Sequence, residues 1–393
     1  MKVNLGIASQ NSWDWQRIID GDMDSRPETD DWRIVEQALA LGDLAEPLGF
    51  DGIWVPEHFG TPYGMTPNPL QLLAYFAGRT ERITFGTQIV VVPWWNPVRL
   101  IHQIAYLDII SNGRYETIGL GRGVAKSEFD SLGIPRETSM KRFEETIDIL
   151  ELAFTQDRFS YEGEVFQIPE TEIRPAPRSR DLFSRLYGAS ATGPSLEMIS
   201  KRGVKPLFVG NKPLSEAAKD VRKVNTMRRE VGLPPCQPKN ILFTYCVADK
   251  YEAEKADEYL AMANRDVVLA YGLDDPANFA GVKGYESYAA RAGGATAPDA
   301  KAAQESAAKP VPKGYDQSNL MIGTPDMIIE RIVESQKACS FSEISLMPQF
   351  GTMPYSEAAE SVKLFAREVL PVVQKMDTPL HPEALPEDEH SAA

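Results

Sequence analysis

The stretch Ile83-Thr-Phe-Gly-Thr-Gln-Ile-Val-Val-Val92 is rich in β-branched residues, and its last four positions are all apolar. Such a run is typical of a strand that is buried on both faces, as the strands of a parallel sheet are. Seven other short apolar runs along the chain have the length of strands. They lie at residues 3–7, 52–55, 114–119, 186–189, 206–209, 241–247 and 343–347.

Longer stretches with a helical spacing of apolar residues separate most of these runs. They lie at residues 34–48, 69–78, 98–110, 137–154, 195–202, 215–231, 252–271, 326–338 and 356–373. Alternating strands and helices predict a parallel sheet with the helices outside it. An open doubly wound sheet and a closed barrel share this alternation, but eight units favour closure. We therefore expect an α/β fold, a single (β/α)8 TIM barrel with insertions, over residues 1–376.

Three internal segments do not fit the repeat. Residues 10–31 form a polar insertion that contains tryptophan, and residues 161–186 are rich in proline, with a short hairpin expected at Glu162 and Gly163. Residues 274–318 are rich in Gly, Ala, Lys and Pro, and a loop of that length is typical of a mobile lid or a disordered segment. Pro and acidic residues predict a disordered acidic tail at residues 377–393.

The acidic composition restricts the classes of partner. Lys and Arg total 41 against 56 for Asp and Glu, which gives a formal charge of −15 over 393 residues. Such a surface repels nucleic acid and anionic membranes, so we expect neither as a partner. No run approaches the ~20 apolar residues of a membrane span. An anionic ligand must instead be held by a local cationic feature.

The cysteine and histidine content indicates a cytoplasmic protein without a metal centre. The three cysteines show neither CxxC pairing nor metal-ligand spacing, which favours a reducing compartment. Two of the four histidines, His381 and His390, lie in the predicted tail. A zinc enzyme needs clustered ligands, so we expect no metal site.

A candidate phosphate site lies at the C-terminal ends of the strands, where TIM barrels carry their active sites. Arg122 follows the fourth strand between two glycines, which let a ligand approach the backbone closely. Ser190 and Thr192 follow the fifth strand and precede a helix, where hydroxyls and free N–H groups bind anions. A guanidinium with these hydroxyls predicts a site for one phosphate monoester. The alternative is that Arg122 pairs with a neighbouring carboxylate and that Ser190 or Thr192 only caps a helix.

His58 is the candidate acid or base of the site. It follows the second strand, and unperturbed imidazole titrates near ~6.5, so a modest shift suits it to proton transfer at neutral pH. Glu57 precedes it and can bend into the site from the strand end. A purely structural role for His58 is the alternative. His102 lies within a predicted helix, and we assign it no chemistry.

These strand ends, in this order, resemble the bacterial luciferase family of flavin-dependent monooxygenases. Each piece of the resemblance is a weak signal alone, whereas the ordered set over nearly the whole chain is specific. The main pieces are Gly49-Phe-Asp-Gly-Ile-Trp-Val-Pro-Glu-His-Phe59, Asn96-Pro-Val-Arg99, Leu107-Asp-Ile-Ile-Ser-Asn-Gly-Arg114, residues 188–203, Gly323-Thr-Pro325 and Leu370-Pro371.

The resemblance implies roles around the flavin ring. His58 matches the active-site histidine of the family, which is held to act near the flavin peroxide. Glu57 matches the acid beside it. Gln88 and Ile89 match the position where the family often has a cis peptide bond under the isoalloxazine ring.

The resemblance also implies roles around the flavin phosphate and above the site. Arg122 and Ser190 match the phosphate ligands, Ala189 matches a backbone contact, and Thr192 belongs to the same group of cofactor-binding residues. The insertion at residues 274–318 occupies the place of the mobile active-site loop of the family.

Four departures from luciferase limit what the resemblance implies. Phe59 stands where luciferase has a second histidine, and Asn96 stands where it has a histidine before Pro-x-Arg. Ala189 replaces the acid next to the phosphate serine, and Gly121 replaces a reactive cysteine. Light emission from an aldehyde is therefore not implied, whereas hydroxylation, epoxidation and Baeyer–Villiger oxidation remain open.

The implied activity is that of the oxygenase in a two-component system. FMNH2 would come from a separate NAD(P)H:flavin reductase, because no nicotinamide fingerprint is visible in this chain. O2 would form a C4a-peroxide on the flavin in a closed pocket, and one oxygen atom would enter a small apolar organic substrate. The family also implies a homodimer. The alternatives are an F420-dependent oxidoreductase of the same superfamily and a non-catalytic flavin-binding or partner subunit.

Aromatic residues near these strand ends suggest an apolar substrate pocket, with core packing as the alternative. They are Trp13, Trp15, Phe59, Trp94 and Trp95.

Overall fold

A computed structural model of the chain describes residues 1–189, 193–210, 212–294 and 319–386. Eight parallel strands form its centre. They are β1 (Lys2–Gly6), β2 (Gly52–Val55), β3 (Thr84–Thr87), β5 (Tyr115–Gly121), β8 (Leu186–Ala189), β9 (Lys205–Val209), β10 (Lys239–Cys246) and β12 (Glu343–Met347). Each strand pairs with the next, and the ring closes where β12 pairs with β1, in a register that includes Lys2 opposite Glu343. The prediction of a closed (β/α)8 barrel is confirmed, and the open sheet is excluded.

Helices surround the barrel in the alternation that the sequence predicted. They are α1 (Trp15–Ile19), α2 (Asp31–Gly42), α3 (Pro69–Ala77), α4 (Pro97–Ile110), α5 (Lys126–Ser131), α6 (Ser139–Thr155), α7 (Gly193–Lys201), α8 (Leu214–Glu230), α9 (Lys255–Tyr271), α10 (Glu286–Gly294), α11 (Pro325–Cys339), α12 (Tyr355–Glu368) and α13 (Leu370–Val373). None of the helices in the described parts of the chain is both long and apolar enough to cross a bilayer.

Short strands extend the barrel at two points, and a hairpin lies outside it. β4 (Val90–Val91) pairs with β5, and β11 (Met321–Gly323) pairs with β10. β6 (Phe159–Glu162) and β7 (Gln167–Thr171) form the antiparallel hairpin that the sequence predicted. The buried carboxylate of Glu145 fixes its turn by accepting backbone hydrogen bonds from residues 164–166.

Large side chains fill the middle of the barrel. Trp54, Tyr187, Leu207 and Ile241 come from four different strands and form one cluster. A Cβ at Gly86 would lie 2.5 Å from the Trp54 indole nitrogen, so glycine at this position makes room for the ring.

The N-terminal end of the barrel is closed by a buried ion pair. Lys239 and Glu343, the first residues of β10 and β12, form it at 2.5 Å. The Lys239 ammonium also donates to the Thr117 hydroxyl at 2.6 Å. Because this end is packed, a ligand site is left for the opposite end, where the strands terminate.

The described part of the long insertion is folded against the barrel. It comprises a 3-10 turn at Pro276–Phe279 and helix α10. Its apolar residues pack with the end of α9 in one buried cluster that includes Phe279, Tyr285 and Val268. Residues 295–318 of the predicted lid lie outside the described residues.

The first ten residues of the predicted tail include buried positions and contacts with neighbouring helices. Ala384 is buried, and its carbonyl accepts a hydrogen bond from the Asn225 amide at 2.8 Å. The His381 ring nitrogen Nε2 lies 2.8 Å from the side-chain oxygen of Gln336. Within residues 377–386, short polar contacts and one small apolar residue thus join the segment to neighbouring helices. Residues 387–393 lie outside the described residues.

Candidate functional site

The predicted site residues gather at the C-terminal ends of the barrel strands. Glu57 and His58 follow β2, Gln88 and Ile89 connect β3 with β4, and Arg122 follows β5. Ala189 is the last residue of β8, whose Gly188 pairs with Leu120 of β5. Ser190 and Thr192 lie outside the described residues, so their predicted roles stay predictions.

The peptide bond between Gln88 and Ile89 is cis, as the resemblance implied. The Gln88 side-chain oxygen accepts a hydrogen bond from the Ser345 hydroxyl of β12 at 2.8 Å. The Ile89 side chain lies against Gly121, where an added Cβ would stand 1.9 Å from the Ile89 Cδ1 atom. The departure at residue 121 therefore has a steric reason, because a cysteine cannot fit there unless Ile89 moves.

Glu57 is a buried carboxyl group. It is 3% exposed and accepts hydrogen bonds from the Val91 backbone N–H at 2.6 Å and from the Trp95 indole at 2.9 Å. Burial raises the pKa of Glu57 to about 8, although both hydrogen bonds act to lower it, and the nearby charge of Glu128 adds to the increase. Glu57 is therefore largely protonated at neutral pH and can donate a proton.

We expect protonation of Glu57 to make stability depend on pH. The carboxyl group has an ordinary pKa of 4.5 in the unfolded chain and a pKa of about 8 in the folded protein. At pH values between these two, the folded state keeps a proton that the unfolded state has released. Stability should therefore fall as pH rises through this window, by up to about 1.4 kcal/mol per pH unit. Glu57→Gln should remove this part of the slope when unfolding free energies are measured from about pH 5 to 9. Parallel curves for the variant and the wild type would contradict a protonated Glu57.

His58 is held by an acidic residue that sequence analysis missed. The Nδ1 atom of His58 lies 3.0 Å from Oε1 of Glu128, and the Phe59 backbone N–H donates to the same oxygen at 3.1 Å. Glu128 lies in α5 and is 2% exposed. The signal in the sequence was an acidic residue six positions after Arg122, in a helix too short for periodicity to show.

Two tyrosines, which the sequence analysis also missed, enclose the imidazole of His58. The ring centroid of Tyr63 lies 4.8 Å from that of His58, and the ring centroid of Tyr271 lies 5.8 Å from it. Burial raises the pKa of Tyr271 well above its ordinary value, so its hydroxyl stays protonated. Tyr63 comes from the loop after β2 and Tyr271 from the end of α9, so only the closed barrel brings them together.

The aromatic residues predicted to line an apolar pocket divide into two groups. The rings of Phe59 and Trp94 meet edge to face at 5.1 Å, and Trp94 also contacts Phe129 at 5.7 Å. These three rings surround the site with apolar surface, together with Trp95, whose indole donates a hydrogen bond to Glu57. Trp15 is 4% exposed and packs internally, whereas Trp13 is 42% exposed.

The structure places Arg122 under the folded insertion. One of its terminal nitrogens, Nη2, donates to the Gly284 carbonyl, and its guanidinium lies 3.9 Å from the centroid of the Tyr285 ring. The Tyr285 hydroxyl in turn donates to the Gly123 carbonyl at 2.8 Å. Among the described residues Arg122 forms no ion pair with a carboxylate, and its buried Nη1 atom has no hydrogen-bond partner. The described residues therefore do not support the alternative in which Arg122 pairs with a neighbouring carboxylate.

Sequence comparisons place this chain beside flavin-dependent oxygenases. The profile of the luciferase-like monooxygenase family matches residues 22–340. The uncharacterized protein y4vJ of Sinorhizobium fredii is 26% identical over 87% of this chain and 92% of its own length. The alkanal monooxygenase alpha chain of Photobacterium leiognathi is 29% identical over 57% of this chain and 62% of its own. The oxygenase component of a flavin-dependent trigonelline monooxygenase from Acinetobacter baylyi is 31% identical over 37% of this chain and 40% of its own.

Solved structures share the fold at low sequence identity. The monooxygenase RslO1 of Streptomyces bottropensis has a TM-score of 0.74 at 23% identity, covering 95% of this chain and all of its own. The oxygenating constituent of the 3,6-diketocamphane monooxygenase of Pseudomonas putida, in complex with FMN, has a TM-score of 0.65 at 19% identity, covering 96% of this chain and all of its own. An F420-dependent secondary alcohol dehydrogenase has a TM-score of 0.64 at 15% identity, covering 94% of this chain and 98% of its own. The fold is thus shared by proteins that use FMN and proteins that use F420.

Proposed function

Because the chain belongs to the luciferase-like monooxygenase family, we propose that it is the oxygenase component of a two-component system. It would use FMNH2 from a separate NAD(P)H:flavin reductase and insert one atom of O2 into a small apolar organic substrate. Bound FMNH2 supplies the electrons that activate O2. The residues of this chain hold the cofactor, exclude water and move protons.

The observation that carries the proposal is the buried guanidinium of Arg122. Among the residues that the structure describes, its Nη1 atom is a buried donor without a partner, at the end of β5 and one residue from the contact between Ile89 and Gly121. An unsatisfied buried donor is costly, so a site that keeps one has a use for it. A flavin phosphate fits this donor, and Ala189 with Ser190 and Thr192 would complete the group that binds it.

Proton transfer is the task we assign to His58 and Glu57. Because Glu57 is largely protonated at neutral pH, it can supply a proton or hydrogen bond from a buried position. His58 can accept or return a proton from the other side of the same strand end. Phe59, Trp94 and Phe129 keep water away from these groups, and they favour an apolar substrate.

The folded insertion would act as the lid of the site. It covers Arg122 with a backbone carbonyl and a tyrosine ring, so an incoming phosphate must share the guanidinium with Gly284 or displace it. Gly284 has a φ of 81°, and a Cβ there would lie 2.4 Å from the Nη1 atom of Arg122. Glycine at this position therefore permits the close cover that we assign to the lid.

We expect the transfer of an oxygen atom from O2 into a product to distinguish this function from its rivals. Protein mixed with FMN, a flavin reductase, NADH and a panel of small apolar compounds should consume O2 and form a product that contains one of its atoms, which 18O2 labelling and mass spectrometry detect. Hydride transfer with F420 in the absence of O2 would support the F420-dependent alternative instead. FMN binding without any substrate-dependent oxygenation would support a non-catalytic flavin-binding subunit. A homodimer in the cytoplasm remains our proposal for the assembly and its location.

A further inference from the structure

The contacts of the Glu128 carboxylate are all made by one of its two oxygen atoms. Oε1 accepts the Phe59 backbone N–H at 3.1 Å and lies 3.0 Å from Nδ1 of His58. The other oxygen, Oε2, is buried and has no hydrogen-bond partner among the described residues. A half-satisfied buried carboxylate costs stability, so its presence in this position indicates a role other than packing.

The geometry determines which imidazole nitrogen carries the proton. A backbone N–H can only donate, so Oε1 acts as an acceptor toward Phe59. An ionised carboxylate has only acceptor sites to offer a neighbouring ring nitrogen. The short contact to His58 is therefore favourable when Nδ1 carries the hydrogen, which leaves Nε2 with its lone pair.

The other groups around His58 restrain the ring without offering a competing charge. Tyr63 and Tyr271 contact the imidazole with their rings. Glu57, next to His58 in the chain, points to Val91 and Trp95 instead. Among the titratable groups that face His58, Glu128 is thus the one in hydrogen-bond contact with a ring nitrogen in the described parts of the chain.

We propose that Glu128 is the positioning residue of His58, which holds the imidazole in its Nδ1–H tautomer and leaves Nε2 as the proton acceptor of the site. The tautomer follows from the contacts alone, and only the use of Nε2 during oxygenation rests on the proposed function. A carboxylate that fixes a tautomer in this way raises the basicity of the opposite nitrogen without contacting the substrate.

Nitrogen NMR of the imidazoles tests the tautomer in the flavin-free protein. The chain has four histidines, so a 15N-histidine-labelled sample gives few signals, and His58→Gln identifies that of His58. At about pH 9, where imidazole is neutral, we expect the Nδ1–H form for His58. Two histidines serve as internal standards. His102 places Nδ1 2.8 Å from the Val98 carbonyl, and His381 places Nε2 2.8 Å from the Gln336 oxygen. An Nε2–H form of His58 in the wild type would overturn the proposal, whether or not any variant folds.

Variants of Glu128 then test the cause. Glu128→Leu removes the acceptor, and His58 should change to the Nε2–H form that free imidazole prefers, while His102 stays unchanged. Glu128→Gln keeps an oxygen for Phe59 and Nδ1, and should keep the tautomer. Asp130→Asn removes a charge from the exposed face of the same helix and should have no effect. Persistence of the Nδ1–H form in Glu128→Leu would show that another group fixes it.

Activity provides the second measurement. Glu128→Leu should lower the yield of product per O2 by about ten-fold while flavin affinity stays the same. The double variant Glu128→Leu with His58→Ala should lose no more product yield than His58→Ala alone, because Glu128 acts through His58. Additive losses would contradict the positioning role. Because the NMR measurement needs no flavin, a wrong tautomer and a wrong cofactor give different results.

Discussion

Replacing His58 with alanine is expected to leave flavin binding intact and to remove most of the oxygenated product. The His58 side chain is 16% exposed and lies between Glu128 and two tyrosine rings. It therefore lines the site without covering Arg122. General acid–base groups contribute about 100- to 10,000-fold to a rate, so a loss of at least about 100-fold in coupled product is expected. O2 should still be consumed and released as hydrogen peroxide, which a peroxidase-coupled assay measures beside the product.

His102→Ala is the matched control for this prediction. His102 lies in α4, and its Nδ1 atom contacts the Val98 carbonyl of its own helix. Its removal deletes an imidazole of similar burial without changing the site, so coupling should stay as in the wild type. Normal product yield in His58→Ala would show that His58 has a structural role, which is the alternative that the sequence left open.

The strands of the barrel were predictable because each carries its signal locally. Short apolar runs between helical patterns gave β2, β8 and β12 with the bounds that the structure has. The third predicted strand differs, since the run at residues 83–92 breaks at the cis bond after Gln88 into β3 and β4. Thr87 and Ile89 on either side of Gln88 are both β-branched, so a pattern of β-branched residues does not show where the strand breaks.

The partners of the site residues were not predictable, because they depend on closure of the barrel. Glu128 lies 70 positions from His58, and Gly284 lies 162 positions from Arg122. Neither contact leaves a periodic signal, and α5 is too short to show one. The resemblance to a known family gave His58 and Arg122 but no partner for either. The contacts of residues 377–386 have no sequence signal either, since a proline-rich acidic composition does not show which helix the segment contacts.

The two carboxyl groups beside His58 have different environments, and this difference has a chemical consequence. Glu57 is buried, and this burial raises its pKa to about 8. Glu128 accepts the Phe59 N–H and contacts the imidazole directly. One acid can thus hold a proton while the other orients the base, and this division of roles is typical of sites that move protons at neutral pH.

Replacing Arg122 with alanine is expected to weaken FMNH2 binding by more than ten-fold. Hydrogen bonds to charged groups contribute about 1.5–3 kcal/mol, which corresponds to roughly ten- to a hundred-fold in affinity. Riboflavin has the same ring system without the phosphate, so its affinity should not change. Anaerobic titration of both reduced flavins, followed by tryptophan fluorescence, separates the two effects.

Two further variants distinguish the phosphate site from the lid. Arg136 lies 5.1 Å from the centroid of the Tyr285 ring and donates to the Asn278 carbonyl, so Arg136→Ala should loosen the insertion while the Arg122 side chain itself is retained. The affinity of the Arg136→Ala variant for FMNH2 should stay close to that of the wild type. Arg122→Lys keeps the charge without the planar fork and should give an intermediate affinity. If Arg122→Ala weakened the binding of reduced riboflavin and of FMNH2 equally, Arg122 would act by holding the lid. The phosphate would then have to bind elsewhere.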